Sequence, residues 1–382
     1  MLASFIYAVR RLSILALHSS SPGNGYWIEM SSSLSLIKLE FNMIKRIAFW
    51  AIAMLIGAAS ASGQTNSSLI DQIGSENSAA IDQMTTVYDN TSTVYTNGSM
   101  NGVSLTQSNG KNSSEILQIN SNNNTVTTTQ TNTFVGATNS NVQTIIQFGS
   151  NNAVNGSQSA FIPYANNNAS AVQAGSDSRL DYYQYAFRGG MADNPGNAFL
   201  SAQIGNGNGE NYGNIQQTNQ NSGNRAFLFQ DGGGNAATIS QGTKALQNNG
   251  YPLPTVGEGG SFVAFTAQLG DGNRSTTSQT DGAGGFQTNI ALTFQFGNSN
   301  VALTNQTGSN SLNVSAVFQI SDDGYVSVNQ DDRSAGKSNI SLVGQVGGPG
   351  NEAIVSQTAV TSNNVSAVAQ AGSNNFAHVT QH

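Results

Sequence analysis

Residues 295–306 read QFGNSNVALTNQ: Gln295, Gly297 two places on, Asn300 at +5, Ala302 at +7 and Gln306 at +11. The same offsets hold without a gap at Gln72, Gly74, Asn77, Ala79 and Gln83, and at Gln230, Gly232, Asn235, Ala237 and Gln241. They return at Gln370, Gly372, Asn375, Ala377 and Gln381. Self-similarity at a fixed spacing indicates a repeat architecture and precedes every other reading of fold. Five near matches keep the Gln pair 11 apart: Gln107/Gln118, Gln147/Gln158, Gln173/Gln184, Gln268/Gln279 and Gln319/Gln330. Two more are stretched, Gln203 to Gln216 and Gln345 to Gln357. The count is about eleven units, with residues 119–146 degenerate and leaving room for a worn twelfth unit around Gln130.

Around each arc the apolar residues alternate. Ala226 and Leu228, or Ser315 and Val317, precede the first Gln; Ala237 and Ile239, or Val326 and Val328, follow the arc. Period two is a strand signal. Gly-x-x-Asn between two such runs supplies residues that tolerate a positive φ in a tight turn. Each unit therefore reads as strand, arc, strand, and the fold class is all-β. An isolated hairpin of this size is marginal in water. Stacking units about 4.8 Å apart pairs every backbone amide with the coil above and below and aligns like residues in ladders. The expectation is a β-solenoid of about eleven strand-arc-strand repeats, able to stack further into cross-β amyloid.

Composition agrees. Of 382 residues, 48 are Asn and 29 Gln, whereas only 9% are charged. A carboxamide carries both donors and acceptors, so its copy in the next coil satisfies it; a repeated charge would stack like on like. A formal charge of −7 is too thin for a disordered acidic tail. There is no cysteine, which removes disulfides and thiolate metal sites.

The stretch MIKRIAFWAIAMLIGAASASGQ from Met43 has a basic start (Lys45, Arg46), an apolar run (Ile47 to Ala58) and an A-x-A site (Ala59 to Ala61). It reads as a signal peptide over 43–61, with 1–42 as an upstream extension from a mistaken start, and the mature chain as 62–382. That chain has 8 Lys+Arg and 18 Asp+Glu, net −10, a poor balance for nucleic acid. Loop insertions are expected at 84–101, 131–142, 185–198 and 243–261. The last carries Pro252 and Pro254, which cannot donate into a ladder.

Gln-x-Gly-x-x-Asn-x-Ala-x-x-x-Gln behind a secretory signal resembles the curlin repeat of curli fibre subunits. The resemblance implies a secreted, extracellular amyloid fibre on the bacterial cell surface, serving biofilm matrix and adhesion. As partners it implies the chain itself as a homopolymer stacked end to end, a nucleating minor subunit, an outer-membrane secretion channel and a periplasmic chaperone. Family members commonly carry five repeats after a targeting segment, whereas the units here begin almost directly after Ser62.

No enzyme, cofactor or metal is expected. His378 and His382 are too few for a triad, and Gly205, Gly207 and Gly209 have no following Lys-Ser/Thr to make a phosphate loop. Asp322-Asp323 and Asp331-Asp332 lack the rhythm of calcium-stapled rolls. The alternative reading is a monomeric solenoid adhesin or ligand-binding surface protein, presenting Tyr185, Phe187, Arg188, Lys244, Tyr251 and Glu258 in its loops.

Overall fold

Alternation with period two gives every strand an inward and an outward row, and the computed structural model closes the inward rows against one another. It describes residues 66–84, 89–132, 140–160, 166–186, 196–206, 209–219, 223–243, 261–281, 288–308, 312–333 and 336–382. The stretches expected to be a signal peptide and an upstream extension, and most of the expected 243–261 insertion, lie outside these residues. The coils belong to one compact unit, Gly63–His382.

Each coil contributes two strands. Coils 1 to 3 are β1 (Ser67–Ser75) and β2 (Ser78–Met84), β3 (Thr91–Ser99) and β4 (Gly102–Ser108), β5 (Lys111–Asn122) and β6 (Thr125–Asn132). Coils 4 to 6 are β7 (Ser140–Ser150) and β8 (Ala153–Ala160), β9 (Asn166–Ala174) and β10 (Ser178–Ala186), β11 (Asn197–Gly205) and β12 (Asn211–Asn219). Coils 7 to 9 are β13 (Arg225–Gly232) and β14 (Ala236–Thr243), β15 (Ser261–Leu269) and β16 (Arg274–Asp281), β17 (Thr288–Phe296) and β18 (Val301–Gly308). Coils 10 to 12 are β19 (Leu312–Ser321) and β20 (Tyr325–Asp332), β21 (Ser338–Gly347) and β22 (Glu352–Ala359), β23 (Asn364–Ala371) and β24 (Phe376–Gln381).

Odd-numbered strands form one 12-stranded sheet and even-numbered strands the other, in coil order. Neighbours pair in parallel, and the motif positions coincide in register: Gln295 faces Gln319, and Gln306 faces Gln330. The chain is thus a β-solenoid, and twelve coils at about 4.8 Å make a column of roughly 58 Å.

Three boundaries differ from expectation. The stretch 84–101 is not an insertion, because it contains β3. Gln107 and Gln118 are not one unit: Gln107 lies in β4 of coil 2 and Gln118 in β5 of coil 3, whose second strand holds Gln130. The arc at either end of a strand can span the same number of residues, so a pair 11 apart fits both. Residues 119–146 are correspondingly regular strand for most of their length, and the other insertions narrow, with 140–142 in β7, 185–186 in β10 and 197–198 in β11.

The apolar core lies between the sheets in two clusters, one from Val94 to Ala264 and one from Ala302 to Val368. Coils 8 and 9 separate them with Thr266, Thr277, Thr293 and Thr304, all buried, whose hydroxyls have no hydrogen-bond partner. In coil 5, Tyr182 fills the core and donates to Gln143 Oε1 at 2.6 Å. Gly156 makes room, since a Cβ there would stand 2.0 Å from the Tyr182 ring. No helix among the described residues is long and apolar enough to cross a membrane.

Candidate functional site: the ladders and the open ends

The even-numbered sheet carries an unbroken Gln ladder: Gln83, Gln107, Gln130, Gln158, Gln184, Gln217, Gln241, Gln279, Gln306, Gln330, Gln357 and Gln381. Each Nε2 donates to the Oε1 of the next coil, as in Gln279 to Gln306 at 2.8 Å and Gln357 to Gln381 at 2.7 Å. Its second N–H crosses to the start of the coil's first strand, Gln306 to Ile290 O at 3.0 Å for example. Both donors are therefore used and the carboxamide ties the coil laterally as well as axially. Gln217 rather than Gln216 is the member here; Gln217 is buried and shares the parity of buried Ile215, whereas Gln216 is exposed.

The odd-numbered sheet repeats the pattern with one defect. From Gln118 onward the bonds run through Gln147, Gln173, Gln203, Gln230, Gln268, Gln295, Gln319, Gln345 and Gln370 in the same direction. In coil 2 the position holds Thr96. A hydroxyl is too short to reach, and both Thr96 Oγ1 and Gln118 Oε1 are left buried without a partner. Gln72 lies below this gap in the exposed first coil.

The arc Gly and Asn have separate tasks. Gly74, Gly232, Gly297 and Gly372 take φ of 113°, 118°, 108° and 99°. Stacking makes the first three obligatory: a Cβ on Gly297 would lie 2.3 Å from Ser321 O, and on Gly74 1.8 Å from Gly98 O, whereas on Gly372 in the last coil it would meet only Asn375 Nδ2 at 3.7 Å. The second positive φ falls at +4, on Glu76, Asn151, Ser299 or Asn374, and not on the +5 Asn as the sequence suggested. The +5 Asn instead caps the arc. Asn300 Oδ1 accepts from Gly324 N at 2.9 Å, its Nδ2 donates to Ser321 O, and Asn375 N donates to Asn351 Oδ1 at 3.1 Å. Asn77 and Asn235 act likewise toward Asn101 and Asn273. Ala79, Ala237, Ala302 and Ala377 all pack in the apolar interior.

Sequence reasoning missed a further ladder, six places before the first Gln. Asn112 donates to Asn90 Oδ1 at 2.9 Å, Asn141 to Asn112 at 3.0 Å, Asn313 to Asn289 at 3.0 Å and Asn364 to Asn339 at 3.0 Å. The signal was there: eleven of the twelve coils have Asn at this position, and only coil 8 substitutes Phe262. Phe262 is buried, and its neighbours Asn224 and Asn289 each keep one orphaned amide atom, Oδ1 and Nδ2.

The ends differ from the middle. Every residue of β1 is exposed, and in β24 exposed and half-buried residues alternate. Their outer backbone edges have no strand beside them among the described residues. The two end coils carry the same inward residues, Gln72 and Gln370, Gln83 and Gln381, Asn77 and Asn375, Ala79 and Ala377.

The other residues singled out in the sequence take these places. Asp322 Oδ1 accepts Asn298 N at 2.7 Å in an arc, and Asp331 pairs with Arg333 at 2.7 Å on the surface. His378 Nε2 stands 3.3 Å from Thr380 Oγ1. Gly205 ends β11, Gly209 takes φ 128° in the enlarged coil 6 arc, and Gly207 lies outside the described residues. Among the described residues no group of three or more His, Asp or Glu could hold a metal ion. No protein-family model matches the chain, and no curated protein matches its sequence.

Proposed function

We propose that the mature chain is a secreted structural subunit of an extracellular fibre of the curli type, polymerised end to end. What carries the reading is the match between the two open ends. Each Gln ladder is polar, with Nε2 of one coil donating to Oε1 of the next. Gln370 and Gln381 therefore end the column as donors, while Gln83 begins the even-numbered ladder as an acceptor. A second copy placed head to tail continues both ladders, both sheets and the +5 Asn caps without a change of register. Unpaired strand edges of this kind template further strands unless something blocks them. The curlin-like spacing and the secretory signal make export and assembly outside the cell the natural setting, with a nucleating subunit, a secretion channel and a chaperone as expected partners.

The experiment is to dilute residues 62–382 from denaturant and follow thioflavin T. Gln381→Leu removes an end donor and leaves Gln357 without its acceptor, a loss of about 1 to 3 kcal/mol. It should lengthen the lag severalfold, while Ser278→Ala, an outward position in mid-column, should not. Equal kinetics for both variants would sink the end-ladder reading.

A further inference from the structure

The outward rows of the two sheets differ in charge. On the even-numbered sheet, coils 8 to 12 mix Thr276, Ser278, Asn305, Ser327 and Ser356 with charged Arg274, Asp331 and Glu352 and with isolated apolar residues such as Leu303 and Phe376. On the odd-numbered sheet the same coils present no charged residue at any outward strand position. Phe294 and Phe318 stack there with ring centroids 5.0 Å apart, and Ile320, Leu342, Val346 and Val365 are 43%, 48%, 50% and 62% exposed. Five coils at about 4.8 Å and seven residues along each strand at about 3.3 Å give an apolar face of roughly 550 Å², bordered at coil 7 by Arg225 and Asp231. That is near the upper end, about 300–600 Å², of what a soluble monomer exposes.

We propose that this face pairs laterally with the same face of a second copy of the chain, sheet against sheet about 10 Å apart and related by a two-fold axis. Two observations select a second copy. The pair would bury about 1,100 Å², enough to clear the roughly 1,000 Å² expected of a specific protein–protein interface. The face also carries its own complement: the Phe294–Phe318 ridge runs into a recess at Gly344, where a Cβ would meet nothing within 4 Å. An isologous arrangement sets the ridge of each copy against the recess of the other. This surface is perpendicular to the strand edges, so lateral pairing is independent of end-to-end stacking.

The chain has no cysteine, so a single one reports on pairing without background. Ala316→Cys lies near the centre of the face, and Ser327→Cys is the control on the outward row of the other sheet. A bis-maleimide bridging about 10 Å should link Ala316→Cys chains into dimers about tenfold more efficiently than Ser327→Cys chains. Head-to-tail stacking cannot produce that link, because it separates equivalent residues by roughly 58 Å. Gly344→Asp places a carboxylate in the recess without touching its own column, and in the Ala316→Cys background should lower cross-linking about tenfold or more. Should Ala316→Cys fail to fold, Gly344→Cys reads the same face. Equal cross-linking at both positions, or no effect of Gly344→Asp, overturns the proposal. Cross-linking that arises only after deletion of 244–258 also overturns it, because the face would then belong to the chain's own insertion.

Discussion

Thr96 shows how much a single side chain decides in a ladder. Its neighbours on both sides are Gln, and the short hydroxyl leaves Gln118 Oε1 buried without a donor. Thr96→Gln should restore the bond and raise stability by about 1 to 2 kcal/mol, read from the denaturant midpoint; an unchanged or lowered midpoint contradicts the assignment. The same residue explains why coil 2 was illegible. Gly98, Asn101 and Gln107 keep their offsets, but a search keyed on a leading Gln passes over them and joins Gln107 to Gln118 across the opposite arc. Glycine gives the second test at this scale. Gly297→Ala must displace Ser321 O and hold a positive φ, and should cost at least about 2 kcal/mol. Gly344→Ala, with open space and no positive φ, should stay within about 0.5 kcal/mol. Similar losses in both would show that axial stacking is not what requires the arc glycines.

Strands and arcs were largely readable, because period two and the Gln-Gly-Asn spacing are local signals. What escaped was whatever depends on the neighbouring coil. The parity of Gln216 against Gln217 is set by Ile215 in β12, after an enlarged arc, and the capping role of the +5 Asn exists only once Asn300 finds Gly324 in the next coil. The Asn ladder at −6 and the apolar outward row were present in the letters but have no meaning for an isolated hairpin. Two consequences follow for the core. Thr277→Val and Thr293→Val remove buried hydroxyls that bond nothing, and should each stabilise by about 1 kcal/mol, joining the two apolar clusters. Destabilisation would mean that those hydroxyls are satisfied. Burial pushes the Tyr182 phenol well above its ordinary value near 10. The folded chain keeps that proton while the unfolded chain releases it, so stability is whole below about pH 10 and falls above it. Tyr182→Phe should lower stability at neutral pH by losing the bond to Gln143, yet flatten the alkaline decline. An equally steep decline in the variant would assign the effect to the other tyrosines.

At the largest scale, the column of Gly63–His382 presents the same Gln, Asn and Ala positions at both of its ends. Its carboxamide ladders are satisfied along most of their length and interrupted at coil 2, where Thr96 stands, at coil 8, where Phe262 stands, and between coils 6 and 7, where Asn224 donates to Thr218 O and leaves Asn197 Oδ1 without a partner. None of these interruptions lies at an end, so the surfaces that would meet another copy keep their full complement of Gln and Asn. Repetition explains the low charge as well: a carboxylate at a Gln position would meet its own copy every 4.8 Å or so, with no donor to offset the repulsion.

The most direct test of end-to-end stacking is oriented fibre diffraction from residues 62–382 after release from denaturant at tens of micromolar. Strands perpendicular to the column axis predict a sharp meridional reflection near 4.8 Å, growing with the thioflavin signal. A chain that remains monomeric for days under these conditions, with folded β structure but no such reflection, would contradict the account and leave a free-standing solenoid in its place.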